Sequence, residues 1–99
     1  MSKATNLLKN IISTNKVVVF SKTYCPHCTA SKDLFKKIYP SFKAVELDQE
    51  KDGDEIHQEL KNTTQHRTVP NIWVNQKFIG GNDTIQQLYK NGELKKMLE

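Results

Sequence analysis

Residues 17–28 read Val-Val-Val-Phe-Ser-Lys-Thr-Tyr-Cys-Pro-His-Cys, and this stretch decides the fold. Its first four residues, Val17–Phe20, form the longest apolar run of the chain and are rich in β-branched side chains. Such a run predicts a strand that is covered on both faces, as in a parallel sheet. Pro26 fits the first turn of a helix, where its missing N–H costs little. The stretch therefore predicts a buried strand that turns directly into a helix at two cysteines.

The segments around this stretch alternate between helical and strand patterns. We predict helices over residues 3–14, from 26 to just before Pro40, over 54–62 and around 85–89, and strands over 17–20, 42–47, 72–74 and 78–79. Residues 75–77 form the hairpin turn without the preferred glycine, and a last helical turn follows Gly92. The order α-β-α-β-α-β-β-α predicts an α/β fold with a central mixed four-stranded sheet and helices on both faces.

Length and composition limit the chain to one small domain, residues 1–99. With 36% hydrophobic and 26% charged residues, the chain has enough apolar material for a core. No apolar run approaches the roughly 18 residues of a membrane span, and the N-terminus shows no secretory pattern, so we expect a cytoplasmic protein that contacts no membrane. Two cysteines are too few for a disulfide scaffold or an all-cysteine zinc site.

Charge is distributed unevenly along the chain. Residues 46–59 hold seven acidic residues and one lysine, whereas the remainder holds fourteen basic and four acidic residues. A basic surface serves solubility or attracts an anionic ligand. Nucleic acid is not expected as a partner, because the lysines are scattered and no basic run is interleaved with aromatic residues.

Cys25-Pro26-His27-Cys28 is a C-x-x-C motif, which by itself is compatible with half a zinc site or with a redox pair. Its position between a buried strand and a helix favours the redox pair. Cys25 would lie at the helix N-terminus, where free N–H groups and about half a positive charge stabilise a thiolate. Lys22 would add to this effect, and Cys28, three residues on, could close a disulfide with Cys25.

Two further motifs lie in the second half of the chain. Thr68-Val69-Pro70 precedes the first hairpin strand, and Gly80-Gly81-Asn82-Asp83 leads into the last long helix. We expect Asn82 or Asp83 to cap that helix. Backbone N–H groups at its start would form a carboxylate site.

Together the segments Lys22–Cys28, Arg67–Pro70 and Gly80–Asp83 strongly resemble the glutaredoxins of the dithiol class, members of the thioredoxin superfamily. The resemblance covers residues 5 to 98 and implies a thioredoxin fold. It also implies glutathione-dependent thiol–disulfide oxidoreduction, with Cys25 as the nucleophile and Cys28 as the resolving thiol. The proline of the second motif would be cis and face the cysteines. The glutathione-binding residues implied are Lys22, Tyr24, Arg67, Thr68, Val69, Pro70, Gly81, Asn82 and Asp83.

The resemblance further implies the co-reactants. Glutathione would be the co-substrate, glutathionylated or disulfide-containing proteins the substrates, and glutathione reductase an indirect partner. No metal is expected, and a monomer is the default assembly.

Three positions depart from the family pattern. His27 stands where many dithiol members have tyrosine, and we expect its imidazole to stabilise the Cys25 thiolate and make the pair more oxidising. His57 stands where relatives often have a glutamine that contacts glutathione, and Thr84 where many have aspartate, so Asp83 would replace that contact. Apart from this correspondence, His57 and His66 are interpreted as surface residues, and Tyr39, Tyr89, Phe35, Phe42 and Trp73 as packing residues.

Two alternatives stay open at this point. One is a thioredoxin that a reductase recycles; the glycine pair and the basic residues Lys22 and Arg67 disfavour it. The other is an iron–sulfur carrier in which Cys25 of two subunits and two glutathiones hold a cluster. The stiff Pro26 turn disfavours the carrier.

Overall fold

The structure, a computed structural model, describes residues 2–99 as five helices and four strands. In chain order they are α1 (Lys3–Thr14), β1 (Val17–Ser21), α2 (Pro26–Ile38), β2 (Lys43–Glu46), α3 (Gly53–Thr64), β3 (Asn71–Val74), β4 (Lys77–Gly80), α4 (Asn82–Lys90) and α5 (Glu93–Leu98). The sheet order is β2-β1-β3-β4. The β1–β2 pair is parallel, and the β1–β3 and β3–β4 pairs are antiparallel, so the predicted mixed sheet is confirmed.

β1 is buried along its whole length, as its apolar run predicts. Because side chains alternate across a strand, Val18 and Phe20 pack into one core and Val17 and Val19 into the other. The first core also takes buried side chains from α1 and α3, and the second takes them from α2, α4 and α5. The sheet is thus covered on both faces, which holds the C-terminal end of β1 rigidly beneath the start of α2.

The hairpin differs from its predicted form by one residue. Val74 pairs with Lys77, which already belongs to β4, so the turn is only Asn75 and Gln76. Both residues have positive φ, 53° and 67°, as a two-residue turn of type I′ requires. The Asn75 amide donates to the Met97 carbonyl at 2.9 Å, which anchors the turn to α5.

The aromatic residues interpreted as packing residues behave that way with one exception. Phe35 and Trp73 are buried, and Tyr39 and Phe42 pack against the second core. Tyr89 is 37% exposed instead, with the Lys37 ammonium 5.4 Å from its ring centre. None of the helices within residues 2–99 is long and apolar enough to cross a membrane.

Candidate functional site at the start of α2

Cys25 is the N-cap residue of α2, and Pro26 occupies the first turn. The Cys25 sulfur accepts a hydrogen bond of 3.2 Å from the backbone N–H of Cys28. An N-cap acceptor is ordinarily an oxygen, because it must satisfy an otherwise unpaired N–H of the first turn. Here a sulfur does so while remaining half-exposed. The sequence prediction of a cysteine at this helix N-terminus is therefore confirmed.

Cys28 lies in the first turn of the same helix and is fully buried. Burial, followed by the hydrogen bond that the Cys28 thiol donates to the Cys25 sulfur, raises the pKa of the Cys28 thiol to about 11. The two cysteines are free and differ in environment although they are only three residues apart. One sulfur is accessible at a helix terminus, and the other is held beneath it as a neutral thiol.

The Val69–Pro70 peptide bond is cis and faces this pair, as the resemblance implied. The Cys25 thiol donates to the Val69 carbonyl oxygen at 3.7 Å. The fold thus brings two motifs that are 44 residues apart in sequence into direct contact.

A groove of about 290 Å³ extends from this loop to the start of α4. Its lining residues are His27, His66, Thr68, Val69, Pro70, Gly81, Asn82, Asp83 and Thr84. α4 begins at Asn82, and Gly81 is its N-cap residue without a side-chain hydrogen bond. The expectation that Asn82 or Asp83 caps this helix is therefore wrong: both lie one position too far along the chain. Their place in the first turn leaves backbone N–H groups directed toward the groove.

The Asn82 side chain connects α4 to α2 instead of capping α4. Its Oδ1 accepts 2.8 Å from the hydroxyl of Ser31, which is fully buried in α2, and 3.2 Å from the Gln86 amide. This bond joins α2, which carries the cysteines, to α4, which forms the far side of the groove. Nothing in the sequence pattern indicated that pairing.

His66 was interpreted as a surface residue, but the structure places it half-buried in the groove wall. Its Nε2 lies 3.2 Å from the Pro70 carbonyl oxygen and 3.3 Å from the Thr68 hydroxyl, and its ring packs on Phe78 at 5.6 Å between centres. A Cβ added to Gly81 would lie 3.3 Å from the His66 ring. Gly81 is therefore the residue that admits this ring beside the start of α4.

Two lysines lie near His57. Burial, followed by the nearby positive charges of Lys61 and Lys22, lowers the pKa of His57 below its ordinary 6.5. A backbone group of Arg67 also contacts this imidazole and has the opposite effect on its pKa. His57 is half-buried, and no hydrogen-bond partner of its Nε2 is found within residues 2–99. The structure thus groups Lys22, His57 and the Arg67 backbone.

The remaining predicted site residues are solvent-facing. Tyr24 is 71% exposed, and His27 is exposed in the first turn of α2, at one end of the groove. The loop before α2, which carries Tyr24, is held by Asp48, which accepts hydrogen bonds from the backbone N–H and the hydroxyl of Thr23. The bond from the hydroxyl is the main reason that the pKa of Asp48 is lowered. Asp48 is a positioning residue that the sequence did not reveal.

Within the described chain, residues 2–99, no three His, Cys, Asp or Glu side chains are grouped as a metal site would require.

Comparison with known proteins agrees with this geometry. The glutaredoxin family model matches residues 17–79. A glutaredoxin of Solanum lycopersicum is 52% identical over 90 residues, covering 91% of this chain and 83% of the relative. Glutaredoxin-1 of Saccharomyces cerevisiae is 44% identical over 96 residues, covering 93% of this chain and 87% of the relative.

Solved structures give the same assignment. The crystal structure of wheat glutaredoxin matches with a TM-score of 0.90 and 48% identity, covering 95% of this chain and 87% of that one. The buckwheat glutaredoxin–glutathione complex matches with a TM-score of 0.88 and 41% identity, covering 96% and 86%. The thioredoxin fold is thereby confirmed, and the alternative of a reductase-recycled thioredoxin is not supported. The chain belongs to the glutaredoxin family, the glutathione-dependent thiol–disulfide oxidoreductases.

Proposed function

We propose that Cys25 is the nucleophile that removes glutathione from glutathionylated proteins. Its thiolate attacks the glutathione sulfur of the mixed disulfide, the protein thiolate leaves and takes up a proton, and Cys25 becomes glutathionylated. A second glutathione thiolate then attacks that glutathione sulfur. Oxidised glutathione leaves, and the Cys25 thiolate is restored.

Cys28 would act in a second branch, the reduction of protein or small-molecule disulfides. Cys25 attacks one sulfur of the substrate, and one thiolate leaves. Cys28 then attacks the Cys25 sulfur, which releases the second substrate thiolate and forms the Cys25–Cys28 disulfide. Two molecules of reduced glutathione reduce this disulfide and leave as oxidised glutathione.

The observation that carries the proposal is the place of the Cys25 sulfur as the N-cap of α2. The N-terminal end of a helix carries about half a positive charge, and its free N–H groups favour an anion. The Cys28 N–H bond of 3.2 Å gives the Cys25 thiolate one such donor. Cys28, buried and with its pKa raised to about 11, stays protonated and does not compete as a nucleophile.

The groove supports a binding place for glutathione beside Cys25. The Val69 backbone, which lines the groove, would pair with the cysteinyl part of glutathione as a strand edge does. The first turn of α4, with Gly81, Asn82 and Asp83, would hold the γ-glutamyl end, and its N–H groups suit the carboxylate. The glutathione complex of the buckwheat relative supports this class of ligand.

The opposite end of glutathione carries a second carboxylate, which basic side chains would bind. Lys22 and Arg67 would pair with its second carboxylate, and Tyr24 would form a wall there. Thr68 and Pro70 would line the middle of the groove.

Because the protein uses glutathione as its co-substrate, it requires a compartment that keeps glutathione reduced, such as the cytoplasm, where glutathione reductase would regenerate it. No contact in the proposed cycle needs a second copy of the chain, so we propose a monomer.

The test compares two serine variants in two assays. Cys28→Ser should still remove glutathione from a glutathionylated peptide while its reduction of a protein disulfide falls. Cys25→Ser should lose both activities, including reduction of hydroxyethyl disulfide with glutathione. If Cys25→Ser stays active, or if Cys28→Ser loses peptide deglutathionylation, the assigned roles are wrong.

A further inference from the structure

His66 contacts the part of the groove that would pair with the cysteinyl part of glutathione. Its imidazole Nε2 lies 3.2 Å from the Pro70 carbonyl oxygen and 3.3 Å from the Thr68 hydroxyl oxygen. These two partners flank Val69, which lines the groove. A single ring nitrogen therefore contacts the chain on both sides of the residue whose backbone would bind the ligand.

The Pro70 carbonyl determines which imidazole nitrogen carries the hydrogen. A carbonyl oxygen only accepts, so the 3.2 Å contact is a hydrogen bond only when Nε2 holds the hydrogen. The Thr68 oxygen then accepts from the same N–H, which makes a three-centre bond. The hydrogen of the Thr68 hydroxyl is not used in this contact, and it can be donated into the groove that Thr68 lines.

The backbone of His66 is held by the end of α3. Its N–H donates to the Thr64 hydroxyl oxygen at 3.1 Å, and that hydroxyl donates to the Leu60 carbonyl at 2.7 Å. The side-chain amide of Asn71, the first residue of β3, donates to the same Thr64 oxygen at 3.3 Å. One hydroxyl thus ties both ends of the loop between α3 and β3, so the backbone of His66 has a defined position.

The ring of His66 is also fixed by packing. It lies 5.6 Å from the Phe78 ring between centres, and a Cβ added to Gly81 would lie 3.3 Å from it. Phe78 belongs to β4, and Gly81 is the N-cap residue of α4. The imidazole therefore lies between residues 68–70 on one side and the start of α4 on the other, the two parts of the groove proposed to bind glutathione.

We propose that His66 is a positioning residue that gives the groove its preference for glutathione over smaller thiols. Its Nε2–H holds the Pro70 carbonyl and the Thr68 oxygen, and thereby fixes the Val69 backbone between them. The same bond leaves the Thr68 hydroxyl as a donor to a carbonyl or carboxylate oxygen of the ligand. This inference rests on the proposed function, because it concerns how the same groove recognises the glutathione part of the substrate.

The experiment compares two mixed disulfides of one peptide that contains a single cysteine. One is the disulfide with glutathione, and the other is the disulfide with 2-mercaptoethanol, which has no peptide groups for the groove to bind. Every protein carries Cys28→Ser, so that only attack by Cys25 is measured. Loss of the mixed disulfide is followed with the protein in excess, and the ratio of the two second-order rate constants is the specificity.

His66→Phe keeps an aromatic ring next to Phe78 and removes the N–H. We expect its rate constant with the glutathione disulfide to fall at least about fourfold, the effect of one lost hydrogen bond. With the 2-mercaptoethanol disulfide it should stay within about twofold of the parent protein, since that substrate does not use the groove. His66→Gln is the matched control: its side-chain amide can donate in place of Nε2–H, so it should keep the specificity of the parent.

Thr68→Val tests whether His66 acts through the Thr68 hydroxyl. In the parent protein we expect this substitution to lower the rate constant with the glutathione disulfide at least about twofold. In the His66→Phe variant the hydroxyl is no longer oriented, so the same substitution should have a smaller effect. The two losses should therefore not multiply. Urea unfolding shows which variants are folded, and His66→Leu replaces His66→Phe if the latter is not.

Four results would overturn the proposal. The specificity of His66→Phe could equal that of the parent, or both of its rate constants could fall equally, which would place the effect on Cys25 and not on the groove. His66→Gln could be as impaired as His66→Phe, or the losses in the double variant could multiply. Failure of the proposed function itself would look different, because the parent protein would then react no faster with the glutathione disulfide than with the 2-mercaptoethanol disulfide.

Discussion

The sulfurs of Cys25 and Cys28 occupy opposite environments in a single helical turn, although the Cys28 N–H donates to the Cys25 sulfur at only 3.2 Å. Cys25 is half-exposed at the cap, and Cys28 is fully buried. The asymmetry follows from the direction of β1, which delivers the chain to the surface at Cys25, after which α2 returns it to the core. This course of the backbone makes Cys25 accessible to reactants and Cys28 inaccessible.

Alkylation should therefore be selective. With a pKa of about 11, Cys28 is a thiolate in only about one molecule in ten thousand at pH 7. We expect iodoacetamide at pH 7 to modify Cys25 and spare Cys28 in native protein, as measured by peptide mass spectrometry. Unfolding in urea should abolish the difference and serves as the control. Equal labelling of both cysteines in the native state would contradict the buried position of Cys28.

His27 should influence the redox equilibrium of the pair. It is exposed in the first turn of α2, two residues after Cys25, where positive charge on the imidazole would favour the thiolate and hence the reduced form. We expect His27→Tyr to lower the reduction potential by on the order of 30 mV, about tenfold in the equilibrium constant. The measurement is a redox titration against glutathione. Lys36→Tyr, which removes a cation from the last turn of the same helix, should leave the potential unchanged.

An unchanged potential in His27→Tyr would reduce this histidine to a passive surface residue. The same would follow if Lys36→Tyr moved the potential equally, because the effect would then come from the total charge of the helix.

Gly81→Ala should change the shape of the groove. The added Cβ would lie 3.3 Å from the His66 ring, which must shift by a few tenths of an ångström, and in ordinary contact with the Pro70 carbonyl oxygen at 3.5 Å. The backbone at Gly81 is extended, with φ at −103°, and alanine adopts it without strain. We expect the KM for glutathione to rise a few-fold, equivalent to about 1 kcal/mol of binding free energy.

Gly92→Ala is the control for that experiment. Gly92 has φ at +84°, and no atom of residues 2–99 lies within 4 Å of an added Cβ, so its substitution costs backbone strain without a steric contact in that range. It should lower the melting temperature and leave the KM for glutathione as in wild type. If the two variants had the same KM, the contact between Gly81 and His66 would not determine the shape of the groove.

His57 should make stability depend on pH. Its pKa is lower in the folded protein than its ordinary 6.5, chiefly because of burial. Between the two values the unfolded chain binds more protons, so the free energy of unfolding falls as pH drops below about 6.5 and levels off above it. His57→Gln should remove this contribution. Urea unfolding at pH 7.5 and 5.5 should therefore show a larger loss for wild type, with a slope below about 1.4 kcal/mol per pH unit.

Wild type and His57→Gln that lose the same stability over this range would show that the imidazole is not buried as described. Asp48, the other group with a shifted pKa outside the cysteines, has its pKa lowered and titrates in more acidic solution, so it does not obscure the comparison.

The sequence predicted those parts of the molecule that local rules control. The start of α2 followed from Pro26, and the full burial of β1 followed from its unbroken apolar run. The hairpin was located, but its turn was given one residue too many. The rule for such turns expects glycine, whereas here Asn75 and Gln76 adopt positive φ because the strand pairing on both sides demands it.

Residues that act through tertiary contacts escaped prediction. His66 is flanked by polar residues and looks like any surface histidine, and only the fold sets its ring against Phe78 and the Pro70 carbonyl. Glu46 belongs to an acidic stretch that suggests solvated charge. Its link to Ser21 exists because the register of a parallel strand pair places them side by side, which no local pattern encodes.

The buried hydroxyl of Ser31 in α2 is hydrogen-bonded to Asn82 in α4. This bond connects the helix that carries the cysteines to the helix proposed to bind glutathione. Replacing Ser31 with alanine would touch no surface that a ligand meets. Without this hydrogen bond, the distance between Cys25 and the bound glutathione would be less tightly fixed. A substitution at this buried position would leave the protein surface unchanged, yet we expect it to lower the oxidoreductase activity.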